Sequence, residues 1–240
     1  MNGTLFFAGA GGHNIPTFTG FELWKSDGTE AGTVMVKDIR PGGNTSDPKD
    51  FTNLNGTLFF TANDGIHSQE LWKSDGTEAG TVMVKDILNN GSSAIEHITA
   101  VGDTLFFSAN DRVNGRELWK SDDMTAGTVM VKDIRTILGD SSFPNHLTNV
   151  DGILYFVADD GVHNLELWRS DGTETGTNML KEIYPEPSPF IGGPSNLTNA
   201  NGTLFFTADD GVRGYELWML GTPPPEPDNS NKIYLPIIIK

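Results

Sequence analysis

The residues of this 240-residue chain best suited to chemistry are acidic and sit in loops. Asn63-Asp64-Gly65, Asp159-Asp160-Gly161 and Asp209-Asp210-Gly211 occupy equivalent positions, and clustered carboxylate oxygens are what a calcium ion prefers. Asp64, Asp159, Asp160, Asp209 and Asp210 are therefore the calcium candidates. The alternating Asp spacing of an EF-hand loop is missing, as is a downstream bidentate Glu. The loops consequently read first as solvated turns, in which Asp and Asn bond their own backbone and Gly takes a positive φ.

Other constellations point away from catalysis. His67 and His163 stand at matching loop positions, but Asn114 and Arg213 replace them elsewhere, while His97 and His146 precede separate strands. With no cysteine and no HExxH pattern, neither a zinc site nor a nucleophilic triad is indicated. The Ser-Asp-Gly-Thr turn has an outline similar to the Asp-box hairpin of sialidase-type propellers, with a shorter spacing and no trailing aromatic; it reads as a fold element. Five tryptophans recur at one position and could stack on sugars, although a place inside a sandwiched strand makes packing the better account. Sequons at Asn2, Asn44, Asn55, Asn90, Asn196 and Asn201 include three that are simply Asn-Gly-Thr turns. No catalytic or cofactor-binding residue is nominated.

The elements that must hold these loops are set by an internal repeat. ELWKSDGTEAGTVMVKDI runs from Glu22 to Ile39, returns unchanged from Glu70, and returns in altered form from Glu117 and Glu166. A fifth copy starts at Glu216 and breaks off after Trp218. A second motif, NGTLFF or a variant, places its Leu at 5, 58, 105, 154 and 204, a period of about 49 residues. Within one period, Phe51–Leu54, Thr57–Ala62, Gln69–Ser74 and Thr81–Ile87 have strand character. Asn55-Gly56 joins the first two as a tight hairpin. The run Leu58-Phe59-Phe60 is apolar on both faces, which suits a sheet sandwiched between neighbours.

A register follows for the last hairpin. If Ser74 faces Thr81, Trp72 faces Met83, Leu71 faces Val84 and Glu70 faces Lys85. The same rule pairs Glu22 with Lys37, Glu117 with Lys132 and Glu166 with Lys181. Opposite charges across a strand pair contribute about 0.2–1 kcal/mol.

The long, variable links between repeats, such as Arg40 to Asn44 and Pro185 to Pro189, fit a chain travelling from the outer edge of one propeller blade to the inner edge of the next. The expected fold is all-β, a propeller-like array of five four-stranded repeats with the first and last incomplete. Its boundaries are about 1–46, 47–93, 94–142, 143–192 and 193–222, followed by a Pro-rich linker at 223–232 and an apolar tail at 233–240. That tail reads as a sorting or attachment signal in preference to a replacement strand.

Bulk composition narrows the partners. A formal charge of −16 repels phosphate backbones and anionic lipid, so nucleic acid and direct membrane insertion are not expected. No signal peptide opens this sequence.

ELWKSDGT followed by AGTVMVKDI and, after a link, NGTLFFTANDG resembles the ELWxxDGT repeat proteins, a group of bacterial surface or secreted proteins. The resemblance covers nearly all of residues 1–218, and the third copy departs from it with Asp123-Met124 in place of Gly-Thr. It implies a secreted or cell-surface location and further repeats upstream in a longer chain. The function expected is a non-enzymatic binding or adhesion module with an unknown protein or glycan ligand. The alternatives are a glycan-binding propeller lectin and a fragment of a propeller-type hydrolase. Specificity is expected where the copies differ, in the loops before Glu-Leu-Trp and in the long links.

Overall fold

The computed structural model describes residues 1, 3–11, 19–89, 91–184, 193–220 and 233–234. The sequons at Asn2 and Asn90, the proline-rich link at 185–189, the linker at 223–232 and the tail beyond Tyr234 lie outside the described residues.

All regular structure among the described residues is β, in five antiparallel sheets. β1 (Leu5–Ala10), β2 (Phe21–Ser26) and β3 (Val34–Lys37) make the first, with three strands. β4 (Lys49–Leu54), β5 (Thr57–Asn63), β6 (Gln69–Ser74) and β7 (Val82–Lys85) make the second in simple meander order. The third holds β8 (Glu96–Val101), β9 (Thr104–Asn110), β10 (Arg116–Ser121) and β11 (Val129–Lys132). β12 (Asn145–Val150), β13 (Ile153–Asp159), β14 (Leu165–Ser170) and β15 (Asn178–Lys181) follow in the fourth. The fifth has β16 (Ser195–Ala200), β17 (Thr203–Asp209) and β18 (Tyr215–Leu220), completed by the two-residue β19 (Ile233–Tyr234). Ile233 and Tyr234 pair with Leu220 and Met219, so the start of the apolar tail acts as a replacement strand.

The tight turns form as their residues dictate. Asn55 and Gly56 both take positive φ, at 51° and 85°, and Asn201 and Gly202 repeat this at 52° and 81°. His97 and His146 were expected ahead of the first strands; they lie inside β8 and β12, at positive φ. Each sits where the strand register shifts, and the extra residue of the bulge accommodates that backbone.

The register of the last hairpin corrects the sequence reading. Trp72 faces Met83 and Lys73 faces Val82 as expected, but a bulge then intervenes and Leu71 faces Lys85. The same shift sets Leu23 against Lys37 and Leu167 against Lys181. The Glu22–Lys37, Glu70–Lys85 and Glu166–Lys181 cross-strand pairs are therefore overturned. With one residue inserted, the Glu slides past its opposite number and the Lys side chain is turned off the axis that would have met it.

Two compact units make up the chain, residues 1–112 with 120–129 and residues 113–119 with 130–240. In the first, Leu23, Val36 and Ile39 of one repeat pack against Leu58, Phe60, Ala62 and Trp72 of the next, with Phe6 and Met83 alongside. In the second, Val150, Leu167 and Ile183 pack in the same way on Leu204, Phe206, Ala208 and Trp218. At both junctions the earlier repeat offers a trailing face and the later one a leading face. The two-faced apolar strand in the sequence is the cause: β5 and β9 are buried along five consecutive residues.

Lysines reinforce these contacts. Lys25 Nζ donates to the Gly76 carbonyl at 2.8 Å, Lys37 to Thr81 at 2.7 Å and Lys85 to Thr128 at 2.7 Å. In the second unit Lys132 donates to Thr177 at 2.9 Å. Each reaches the turn between the third and fourth strands of the following repeat. The ammonium of each thus fastens one repeat to the next.

Candidate functional site

The loops between the second and third strands of each repeat combine rigid construction with exposure. In the fourth repeat the Asp159 carboxylate accepts from Gly161 N at 2.6 Å, and Asp160 Oδ1 accepts from Val162 N and His163 N, both at 2.8 Å. Asp160 Oδ2 lies 2.8 Å from His163 Nδ1. The second repeat is built alike: Asn63 holds Gly65 N, Asp64 Oδ1 holds Ile66 N and His67 N, and Asp64 Oδ2 lies 2.7 Å from His67 Nδ1. In the fifth, Asp209 holds Gly211 N and Asp210 holds Val212 N and Arg213 N. These are Asx turns, and they close because Gly65, Gly161 and Gly211 adopt φ near 80–90°.

The calcium candidates are thus placed. Asp64, Asp160 and Asp210 each spend a carboxylate oxygen on two backbone N–H groups. Asp159 also holds the Arg135 guanidinium at 2.6 Å. Among the described residues no group of three His, Asp or Glu side chains gathers around a point a metal could occupy.

Electrostatics inside the loops are local. Burial alone would raise the Asp64 and Asp160 carboxyls, but the hydrogen bonds from the following residues and imidazole outweigh it and hold both below the usual range. Reciprocally, the carboxylate hydrogen bond raises His67 and His163 above the ordinary imidazole value. Each Asp–His pair orients its ring and stiffens the loop that carries it.

What the stiff loops display is apolar. Ile66, Val113, Val162 and Val212 stand at the same loop position in four repeats and are all exposed. Sequence reasoning looked at the carboxylates beside them and passed over these tips. The available signal was a β-branched residue kept inside an otherwise polar loop in every one of those copies.

A second set of residues was missed by the assumed register. Glu22, Glu70, Glu117 and Glu166 are buried. Glu70 accepts from Ile87 N at 3.1 Å, Ser93 N at 3.0 Å and Ser93 Oγ at 2.7 Å. Glu22 does the same with Ile39 and Ser46, and Glu117 with Ile134 and Ser142. Each carboxyl clasps the link leading to the next repeat. Burial pushes Glu70, Glu117 and Glu166 up to about 7, against the lowering effect of their hydrogen bonds; Asp86 beside Glu70, Asp133 beside Glu117 and Glu182 beside Glu166 add to the rise. A regular Ser, 23 to 25 residues after the Glu, was the signal for this clasp.

Four of the five tryptophans are packed. Trp72, Trp119, Trp168 and Trp218 are buried, and Trp168 and Trp218 donate their indole N–H to the Ala158 and Ala208 carbonyls. They offer no stacking platform for a sugar.

The Ser-Asp-Gly-Thr turn is a closed hydrogen-bond unit. Ser74 Oγ and Thr81 Oγ1 lie 2.7 Å apart, Asp75 accepts from Thr77 N and Oγ1, and Thr77 Oγ1 accepts from Gly80 N. In the third copy Asp123 takes the φ of 79° that glycine takes elsewhere, and its carboxylate joins its carbonyl in binding Lys73.

No protein-family model matches the chain, and no curated protein sequence matches it. Solved structures do. A puromycin hydrolase mutant is similar at 14% identity and a TM-score of 0.55, over 83% of this chain and 31% of that one. A prolyl endopeptidase structure is similar at 12% identity and a TM-score of 0.53, over 90% and 33%. A puromycin-hydrolyzing peptidase of Mycobacterium tuberculosis is similar at 12% identity and a TM-score of 0.50, over 91% and 36%. This chain therefore spans about a third of the length of these three structures. At such identities the likeness concerns fold alone, and it is to a propeller-like, all-β repeat architecture.

Proposed function

We propose that this chain is a non-enzymatic binding module on a propeller-like scaffold, with ELWxxDGT-type repeats as its blades and an extracellular or cell-surface setting. The observation that carries the reading is the loop set: Ile66, Val113, Val162 and Val212 are between 58% and 82% exposed on loops tied down by Asx turns. An apolar side chain held in water by a stiff loop keeps its shape ready for a partner, and binding then costs little ordering entropy. The partner is a protein or glycan surface with apolar features.

The test is adhesion of the immobilised chain to glycan arrays and to extracellular protein panels, beside a variant carrying Ile66→Ser, Val113→Ser, Val162→Ser and Val212→Ser. Binding lost in the variant at unchanged Tm supports the module; binding indifferent to all four tips removes it. The lectin alternative is disfavoured by the burial of four of the five tryptophans. A second reading, a non-catalytic piece of a longer hydrolase, draws on the peptidase names of the similar structures, which are about three times as long. A catalytic domain in the same reading frame would favour that reading over the first.

A further inference from the structure

We propose that the link leaving the third repeat docks a cationic amphipathic segment of another protein, on a patch made by Val113, Ile137, Leu138 and Phe143. This rests on the binding-module reading and gives that module a place and a partner. The four side chains are between 55% and 83% exposed. All four belong to the second compact unit, as do the bonds that hold their backbone. Gly139 N donates to the Val113 carbonyl at 3.1 Å, which ties the Ile137-Leu138 pair to the loop tip at Val113. Asp140 N closes a turn on the Ile137 carbonyl at 2.9 Å, Ser142 N donates to the Arg116 carbonyl at 3.1 Å, and Arg116 N donates to Ser141 Oγ at 2.9 Å. A Cβ on Gly115 would run into the Asp140 carbonyl, so the link lies pressed on the loop. The patch is built on paired backbone and keeps its shape without a ligand.

Apolar side chains are particular to this link. The corresponding stretches of the first two links read Pro41-Gly42-Gly43-Asn44 and Asn89-Asn90-Gly91-Ser92, with no large apolar residue. Phe143 carries a second cost. It takes a φ of 50°, in the left-handed region, at the position where Asp47 and Ala94 stand at 47°. A phenylalanine there adopts a backbone that suits glycine while more than half of its surface stays in water. Large apolar residues grouped on one exposed segment mark an interaction surface.

Electrostatics choose the partner. The Arg135 guanidinium at the head of the link is already neutralised, 3.3 Å from Asp140 and 2.6 Å from Asp159. The Asp140 carboxylate is 46% exposed within the same link, and the chain as a whole carries −16. An apolar stripe flanked by Lys or Arg answers both features, whereas an acidic segment or an anionic lipid surface is repelled.

Fluorescence anisotropy with two labelled helical peptides tests this, one of leucine and lysine in amphipathic order and one with every lysine replaced by glutamate. The full chain is expected to bind the lysine peptide and not the glutamate one. Ile137→Asn, Leu138→Asn and Phe143→Ala together borrow residues from the sister links and leave the charge unchanged; they are expected to weaken binding about tenfold or more. Ile66→Ser, at a tip in the first unit, is expected to leave it unchanged. Should the triple variant fail to fold, Leu138→Asn alone carries the test, with a smaller loss in the same direction. Peptide binding indifferent to these substitutions is attraction to net charge only and overturns the proposal. Equal binding of the glutamate peptide overturns it too, as does binding to phosphatidylcholine vesicles that the triple variant loses. If the triple variant keeps the lysine peptide while the four-tip variant loses its array ligands, this site falls and the module stands; the opposite pair of results keeps the site and removes the tips.

Discussion

The Glu70 carboxyl and the Ser93 hydroxyl lie 2.7 Å apart, both fully buried and 23 residues apart in sequence. Ser93 Oγ also lies 3.3 Å from the Gln69 carbonyl. The hydroxyl can donate to an ionised Glu70, or accept from a protonated one while donating to Gln69. Replacing Glu70 by Ala strands the Ile87 and Ser93 N–H groups inside the protein. Glu70→Ala is expected to lower unfolding free energy by about 2–4 kcal/mol, with little change in the dependence on urea. Ser93→Ala, which leaves the backbone donors satisfied, is expected to cost about 1 kcal/mol. Urea unfolding followed by fluorescence checks both.

The same glutamates give the stability an acid-side optimum. Their folded values are near 7 against an ordinary 4.5, so between those pH values the folded state holds protons the unfolded chain has released. Their contribution is full below about 4.5, declines as pH rises through 7, and is gone above that. His67 and His163, also raised, act in the same direction at higher pH. Asp64, Asp160 and Asp210 are lowered and withdraw their support only as pH falls below their ordinary value of 3.8. Unfolding free energy is expected to peak between about pH 4 and 5 and fall towards pH 8, by on the order of 1–3 kcal/mol per glutamate. A stability profile rising from pH 5 to 8 contradicts this account.

Lys85→Met removes the ammonium from the Thr128 carbonyl while keeping the apolar stem. A loss of about 1–2 kcal/mol is expected. Lys85→Arg is expected to recover only part of this, because a planar guanidinium on a different stem presents its donors differently from a compact ammonium. Comparing the three proteins by thermal unfolding separates charge from geometry.

Two substitutions in the turns have opposite signs. A Cβ on Gly80 would lie 2.1 Å from Asp75 Oδ1, so Gly80→Ala must displace the carboxylate that holds Thr77, at about 2 kcal/mol. Asp123→Gly instead relieves a positive φ and gives up a partly exposed contact with Lys73, for a net gain of a few tenths to about 1 kcal/mol. Measured Tm values should move down for the first and up for the second.

Calcium addition or chelation is expected to leave Tm unchanged, since Asp64, Asp160 and Asp210 are committed to their own loop backbones. A calcium-dependent rise in Tm would show that those turns open to make room for an ion.

The repeat period, the strands, the Asn-Gly turns and the Trp72–Met83 facing were legible in the sequence because each rests on local residue types. The bulge was not. Leu71 and Val84 are both apolar and both buried, so the pattern is the same whether they face one another or are offset. Only the charged pair at the end of the hairpin distinguishes the two registers, and Glu opposite Lys looked self-explanatory. The exposed tips were hidden differently: an isolated Val or Ile in a loop is unremarkable until its position is seen to recur.

The lysine fasteners end on main-chain carbonyls, those of Gly76, Thr81, Thr128 and Thr177, and Lys73 likewise reaches the Asp123 carbonyl. A main-chain oxygen is present whatever the codon specifies. A newly duplicated segment therefore fits its neighbour at once, and its turn can drift in sequence, as Asp123-Met124 has, without losing the junction. The fastening supplies a route by which such a gene can lengthen or shorten by whole units while selection reshapes the loops independently.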